Sequence, residues 1–171
     1  MLAKSKTFKE LTLTVVIPTY NEKDNVRPLI ALLDETLQTI VWEVVFVDDD
    51  SPDGTADEVR RIARKRENVR VIHRVGRRGL SGACIEGILS SSAPFAAVMD
   101  GDLQHDERIL VSMLAALKED ADVDLVVGSR NVSGGSVGSG LTKIRSLGSD
   151  VATFLARRLL KITVKDPMSG F

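Results

Sequence analysis

Short runs of β-branched and apolar residues alternate along the chain with stretches whose apolar positions recur every three to four residues. Leu13–Ile17, Trp42–Val47, Val69–Ile72, Phe95–Met99 and Leu125–Val127 have the length and side-chain types of strands. Between them, Val26, Leu29, Ile30, Leu33 and Leu37 mark one helical face; Val59, Ile62 and Ala63 a second; Ala83, Ile85, Ile88 and Leu89 a third; Ile109, Leu110, Met113, Leu114 and Leu117 a fourth. Strand and helix in strict alternation predict an α/β fold, a mostly parallel sheet with helices on both faces. At 171 residues and 43% hydrophobic content, the chain suits one domain spanning 1–171 with a substantial core.

Charge and composition exclude several function classes. Lys+Arg total 23 against Asp+Glu 24, so no global field favours nucleic acid, and none is expected as a partner. The single cysteine, Cys84, allows no internal disulfide and reads as a small apolar residue on a helix. The N-terminal "LTLTVVIPTYNE" alternates with threonine and stops at Pro18 without a small-residue cleavage pattern, which favours a strand over a signal peptide. No apolar run approaches the roughly 20 residues of a membrane span, so this chain is expected to be soluble.

Ligands of open parallel sheets bind outside the carboxyl ends of the strands. Here those ends read "PTYNE" (18–22), "VDDDSPDGT" (47–55), "DGDLQHD" (100–106) and "GSRN" (128–131), so polar and acidic residues crowd one edge. Asp53-Gly54 forms a turn before a helix, with Thr55 expected to cap it. A turn needs only one carboxylate, which leaves the run Asp48, Asp49, Asp50 unexplained by local structure. Asp100 lies too far upstream to cap the helix beginning near Glu107. Asp102 and Gln104 occupy alternate positions of an extended segment and so face one way. One or two carboxylates make a poor all-protein cage for Mg2+ or Mn2+ but a good clamp for a metal-diphosphate, where water and phosphate complete the shell. His105 is left out of that ligand set.

Seven blocks, "VVIPTYNE", "FVDDDSPDGT", "GRRGLSGA", "VMDGDLQH", "VVGSRNV", "IRSLGSDVA" and "DPMSGF", resemble in content and order the inverting family 2 glycosyltransferases of GT-A fold. The nearest branch is the one that makes polyprenyl-phosphate sugars, as dolichyl-phosphate mannose synthases do. The resemblance implies that Pro18, Tyr20 and Glu22 surround the donor nucleotide, with Val47 and Asp49 completing the pocket. It implies that Asp100 and Gly101 meet the ribose and metal region, and that Asp102 is the principal metal ligand with Gln104 auxiliary. Arg130 would grip the diphosphate, making it and Asp102 the catalytic pair. Arg145 and Ser149 would hold the acceptor phosphate; on a helix, their spacing of four places them on one face.

The implied reaction transfers a sugar with inversion to a polyprenyl or dolichyl phosphate. GDP-mannose is the leading donor and UDP-glucose the alternative. The Gly/Ser stretch Ser133–Gly140 would close over the acceptor side. Arg157, Arg158 and Lys161 flank an apolar stripe of Val151, Leu155, Leu159 and Ile162 that reads as an ordinary amphipathic surface helix. The resemblance further implies a cytoplasmic protein, peripheral to or anchored at the cytoplasmic face of a membrane in its full length, with elements following Phe171. A nucleotidyltransferase with the same metal logic stays open, although it would carry a Gly-rich basic signature directly after its first strand and "PTYNEKDN" lacks glycine; two further classes stay open beside it. One is a non-catalytic nucleotide-sugar-binding module. The other is a receiver-like signalling module, against which an entire strand and helix precede the acidic cluster.

Overall fold

The computed structural model describes residues 10–128. Its elements run β1 (Leu13–Thr19), α1 (Val26–Thr36), β2 (Trp42–Asp48), α2 (Thr55–Ala63), β3 (Val69–His73), α3 (Leu80–Leu89), β4 (Phe95–Val98) and α4 (Ile109–Glu119). They fall into two compact units divided between Leu103 and Gln104, the first containing the sheet with α1 to α3 and the second containing α4.

All pairings are parallel and the strand order is β3-β2-β1-β4. The chain therefore steps outward from β1 to β3 and then returns past β1 to lay down β4. Because such crossovers are right-handed, the reversal sends α3 to the face opposite α1 and α2. Packing agrees. On the α3 face, Val16, Val45, Val47 and Ala83 are fully buried, with Ile72 and Val98 against them. Gly87 brings the α3 backbone down onto β1, since a Cβ there would lie 2.2 Å from Val16 Cγ1. The alternate residues Val15, Ile17, Val44 and Phe46 are fully buried on the other face, as are Val26, Leu33 and Val59 of α1 and α2.

The amino end of the sheet carries a polar network with a structural role. Glu43 accepts hydrogen bonds from Arg70 at 2.8 and 2.9 Å and from Thr14 at 2.9 Å. Burial alone would raise the Glu43 carboxyl, but these bonds outweigh it and hold the group below its ordinary value. Buried polar groups at this end are thus spent on holding strands together.

Two expectations are corrected. Leu125–Val127 forms no strand: an apolar run becomes one only when another strand offers backbone partners, and none of the described residues does; Leu125 is 71% exposed. Thr55 is also not the cap of α2. Gly54 occupies that position at φ 89°, and Asp53 accepts from Thr55 N at 2.9 Å and Oγ1 at 2.6 Å, because a carboxylate two residues back reaches the free amide better than a hydroxyl within the first turn. Arg130, Arg145, Ser149, the Ser133–Gly140 loop and the 151–162 stripe lie outside the described residues. No helix among the described residues is long and apolar enough to cross a membrane.

Candidate functional site

The order β3-β2-β1-β4 places the topological switch between β1 and β4, where loops leave the sheet in opposite directions and open a crevice. Pro18 helps to open it. In a parallel ladder, successive residues address alternate neighbours. Val16 accepts from Met99 N on the β4 side at 3.0 Å, and Thr19 accepts from Asp49 N on the β2 side at 3.0 Å. Pro18 therefore faces β4 just past the last pair, Val16 with Val98, where its missing N–H leaves no partner unmatched. Gly101 forms the crevice floor: a Cβ there would lie 3.3 Å from Ile17 Cγ2, 3.5 Å from Thr19 Cγ2 and 3.7 Å from Glu22 Cγ. The "PTYNE" and "DGD" segments are thus brought together, as expected.

Negative charge concentrates at this crevice. Burial raises the Glu22 carboxyl above its ordinary value; the Asn25 hydrogen bond opposes this, while the charges of Asp102, Asp53 and Asp100 add to it. A raised folded-state value means that the native protein holds this proton more tightly than the unfolded chain. Glu22 therefore costs no stability below its unfolded value, and the cost grows as pH rises through the folded one. Glu22→Gln is expected to raise the melting temperature at pH 7, with the gain vanishing near pH 4; thermal melts across that range check it. An equal gain at both pH values would refute the electrostatic cause.

Cross-links between loops hold the site's shape. Asn21 N donates to Ser51 Oγ at 2.9 Å, Glu22 N to Thr55 Oγ1 at 3.1 Å and Lys23 N to Asp53 Oδ2 at 3.1 Å. Asn21, Asp50 and Leu103 have φ near 60°, one in each loop that follows β1, β2 and β4. Left-handed backbone in non-glycine residues persists only where the surroundings over-determine it.

The acidic triplet resolves into three separate jobs. Asp48, fully buried, accepts from Thr19 Oγ1 at 3.1 Å, Ser51 Oγ at 2.6 Å and Ser51 N at 3.0 Å. Asp49 accepts from Arg74 Nη1 at 2.5 Å and Gly79 N at 2.6 Å. Asp50 pairs with His73 Nε2 at 2.9 Å, and that bond, seconded by the Gly76 amide, holds its carboxyl below the ordinary value. Arg74 and His73 are residues that sequence reasoning missed. Their signal was positional: they follow the apolar run of β3 at the same sheet edge as the acidic loops. Tyr20 is 44% exposed and carries the Arg78 guanidinium over its ring, 4.6 Å from the centroid, while Arg77 turns away to Glu86 at 2.6 and 3.1 Å. Val47 is fully buried in the α3 face. Gln104 begins the second unit.

Among the described residues no group of three or more His, Cys, Asp or Glu forms a protein cage for a metal. The carboxylate charge that perturbs Glu22 suits the other kind of site, in which a hard cation keeps waters and substrate phosphate as most of its ligands. Asp102, the principal ligand expected from the sequence, is the residue that would hold it.

A family model described as "Glycosyl transferase family 2" matches residues 14–171. The chain belongs to glycosyl transferase family 2. It is 40% identical over 163 residues to a dolichol-phosphate mannosyltransferase of Pyrococcus furiosus, covering 94% of this chain and 45% of that one. It is 34% identical over 161 residues to the Saccharomyces cerevisiae dolichol-phosphate mannosyltransferase, covering 92% and 58%. The chain therefore spans about half the length of these curated relatives. Among solved structures, a Pyrobaculum calidifontis mannosyltransferase in complex with GDP-Man and Mn2+ superposes with a TM-score of 0.50 at 25% identity, over 61% of this chain and 31% of that one. A Mycobacterium tuberculosis glucosyl-3-phosphoglycerate synthase, solved with Mn2+, UDP and phosphoglyceric acid, superposes at 0.61 over 94% of this chain and 54% of its own, at 22% identity. The Rossmann-like α/β fold expected of a family 2 glycosyltransferase is the fold observed.

Proposed function

We propose that residues 1–171 form the donor-binding part of a metal-dependent inverting glycosyltransferase that moves mannose from GDP-mannose to a dolichyl or polyprenyl phosphate. The observation that carries this reading is the meeting of "PTYNE" and "DGD" at the switch point over Gly101, in a chain 40% identical to a dolichol-phosphate mannosyltransferase. A phosphate oxygen of the acceptor attacks the anomeric carbon. The bond from that carbon to the donor diphosphate breaks, and its electron pair leaves with the nucleoside diphosphate. The acceptor phosphate is already anionic near neutral pH, so no strong base is required.

The residues' task is to position two anions and offset their charge. A divalent cation held by Asp102, when bound, supplies positive charge opposite the leaving diphosphate. Pro18, Tyr20 and Glu22 flank the nucleotide. Asp49, fixed by Arg74 and the Gly79 amide, shapes the base pocket. Arg130, Arg145 and Ser149 keep the phosphate-contacting roles that their motifs suggest. A lipid-linked acceptor calls for work at a membrane surface, and the reading puts the whole protein at the cytoplasmic one. Calorimetric titration with GDP and UDP, each with and without Mn2+, tests the reading. Manganese-dependent binding of GDP, tighter than of UDP, is expected; a preference for UDP would replace mannose with glucose chemistry, and binding of neither would overturn the donor site.

A further inference from the structure

His73 ends β3 at the carboxyl edge of the sheet, and both of its ring nitrogens are engaged. Nδ1 lies 2.9 Å from Arg60 Nη2 of α2, and Nε2 lies 2.9 Å from Asp50 Oδ1 in the loop after β2. A guanidinium only donates, so Nδ1 accepts, and the ring proton sits on Nε2, which donates to Asp50. The ring is therefore the neutral Nε2–H tautomer, imposed from α2 by an arginine that Asp57 holds in turn at 2.6 Å. Asp50 has φ 60°, and its other oxygen accepts from the Gly76 amide at 3.4 Å. Its neighbour Asp49 accepts from the Gly79 amide at 2.6 Å. Two adjacent carboxylates thus meet two points of one loop, and His73 holds the first of them.

We propose that His73 is a positioning residue for the donor site: its Nε2–H fixes the left-handed turn at Asp50 and so keeps Asp49 in register with the Gly76–Gly79 loop. This rests on the donor-site reading above, in which Asp49 shapes the base pocket. A left-handed residue other than glycine is held by its surroundings, and the shorter of the two contacts on the Asp50 side chain is the one to the imidazole. An imidazole gripped at both nitrogens cannot turn about its ring torsion without breaking both bonds, so it offers Asp50 a rigid anchor. The helix that supplies Arg60 also supplies Thr55, whose hydroxyl accepts from the Glu22 amide. One helix therefore braces the loop after β1 directly and the loop after β2 through His73. His73 acts on the nucleotide only through Asp50 and the residues beside it.

Asparagine and glutamine each reproduce one ring nitrogen: the amide of Asn sits near Nδ1, and that of Gln reaches the place of Nε2 and can donate to Asp50. The test titrates the 171-residue chain with GDP in Mn2+ and follows urea denaturation of each variant. His73→Asn is expected to weaken GDP binding roughly threefold to tenfold, and His73→Gln to restore most of that loss, although both variants give up one of the two bonds and lose similar stability. Asp50→Ala should match His73→Asn, with the double variant no worse than either, because all three break the same link. Asp50 is 42% exposed, so Asp50→Ala carries the comparison if His73→Asn does not fold. Nitrogen NMR of the wild type should show Nε2 protonated and Nδ1 bare; a proton on Nδ1 overturns the attachment to Asp50. Unchanged GDP affinity in His73→Asn, or His73→Gln binding as weakly as His73→Asn, overturns the positioning role, while wild-type binding leaves the donor site standing. Absence of nucleotide binding by the wild type overturns both.

Discussion

Asp102→Asn is expected to remove the manganese dependence of nucleotide binding, weakening affinity in Mn2+ by at least about a hundredfold, while the protein folds normally. The substitution preserves shape and takes away one negative charge. Asp102 is itself exposed, so the substitution buries no new polar group. Changing residues that merely orient a metal ligand typically costs 10- to 100-fold, so losing a principal ligand belongs at or beyond about the top of that range. A second signature accompanies it. Asp102 is the first of the three charges that help to raise the Glu22 carboxyl, so the variant should bring the Glu22 titration, followed by carboxyl NMR, back toward its ordinary value. Calorimetry with and without Mn2+ decides the main point. Intact metal dependence in a folded variant would move the diphosphate contact away from Asp102.

How much of this site was readable before the fold depends on where each residue's partner lies. The alternation of β-like and helical runs was enough to place β1 to β4 within two residues and to find α1 to α4; for α3 it missed the face, because Ala83 and Gly87 pack on the sheet while Ile85, Ile88 and Leu89 stay exposed. Leu125–Val127 failed because composition reports willingness to pair, and pairing needs a second strand. The same division runs through the acidic triplet. Mutual repulsion among Asp48, Asp49 and Asp50 argued for function from all three, and local turn chemistry was right for none of them in full. Asp48 was settled by nearby Ser51 together with Thr19. Asp49 and Asp50 found Arg74 and His73, residues of another strand end that only the parallel register of β2 with β3 brings alongside. The meeting of Pro18, Glu22 and Gly101 was legible because the strand-end rule for parallel sheets already named the edge. The Tyr20 and Arg78 contact was not, since it depends on a loop path that no periodicity encodes.

The largest stability effect is expected from Arg74→Ala, a loss of about 3 to 5 kcal/mol in urea denaturation. The Arg74 and Asp49 side chains are 6% and 12% exposed, so the alanine variant strands a carboxylate that water reaches poorly. Only the Gly79 amide remains to that carboxylate, which sets the expected loss toward the lower end of the range. Glu86 is not stranded in the same way, because Arg77 still holds it. Packing adds to the cost: the Arg74 Nη2 atom fills the space beside Gly82, where a Cβ would lie 2.6 Å from it. Combining Arg74→Ala with Asp49→Asn should recover part of the loss, because the amide carries no charge to bury, and the two substitutions should therefore be non-additive by more than about 1 kcal/mol. Additive losses would mean that the guanidinium acts by filling space alone. Since Arg74 also fixes the Asp49 carboxylate and the Gly79 carbonyl, and Asp49 is the residue proposed to shape the base pocket, the folded fraction of the variant should bind GDP more weakly than the wild type does.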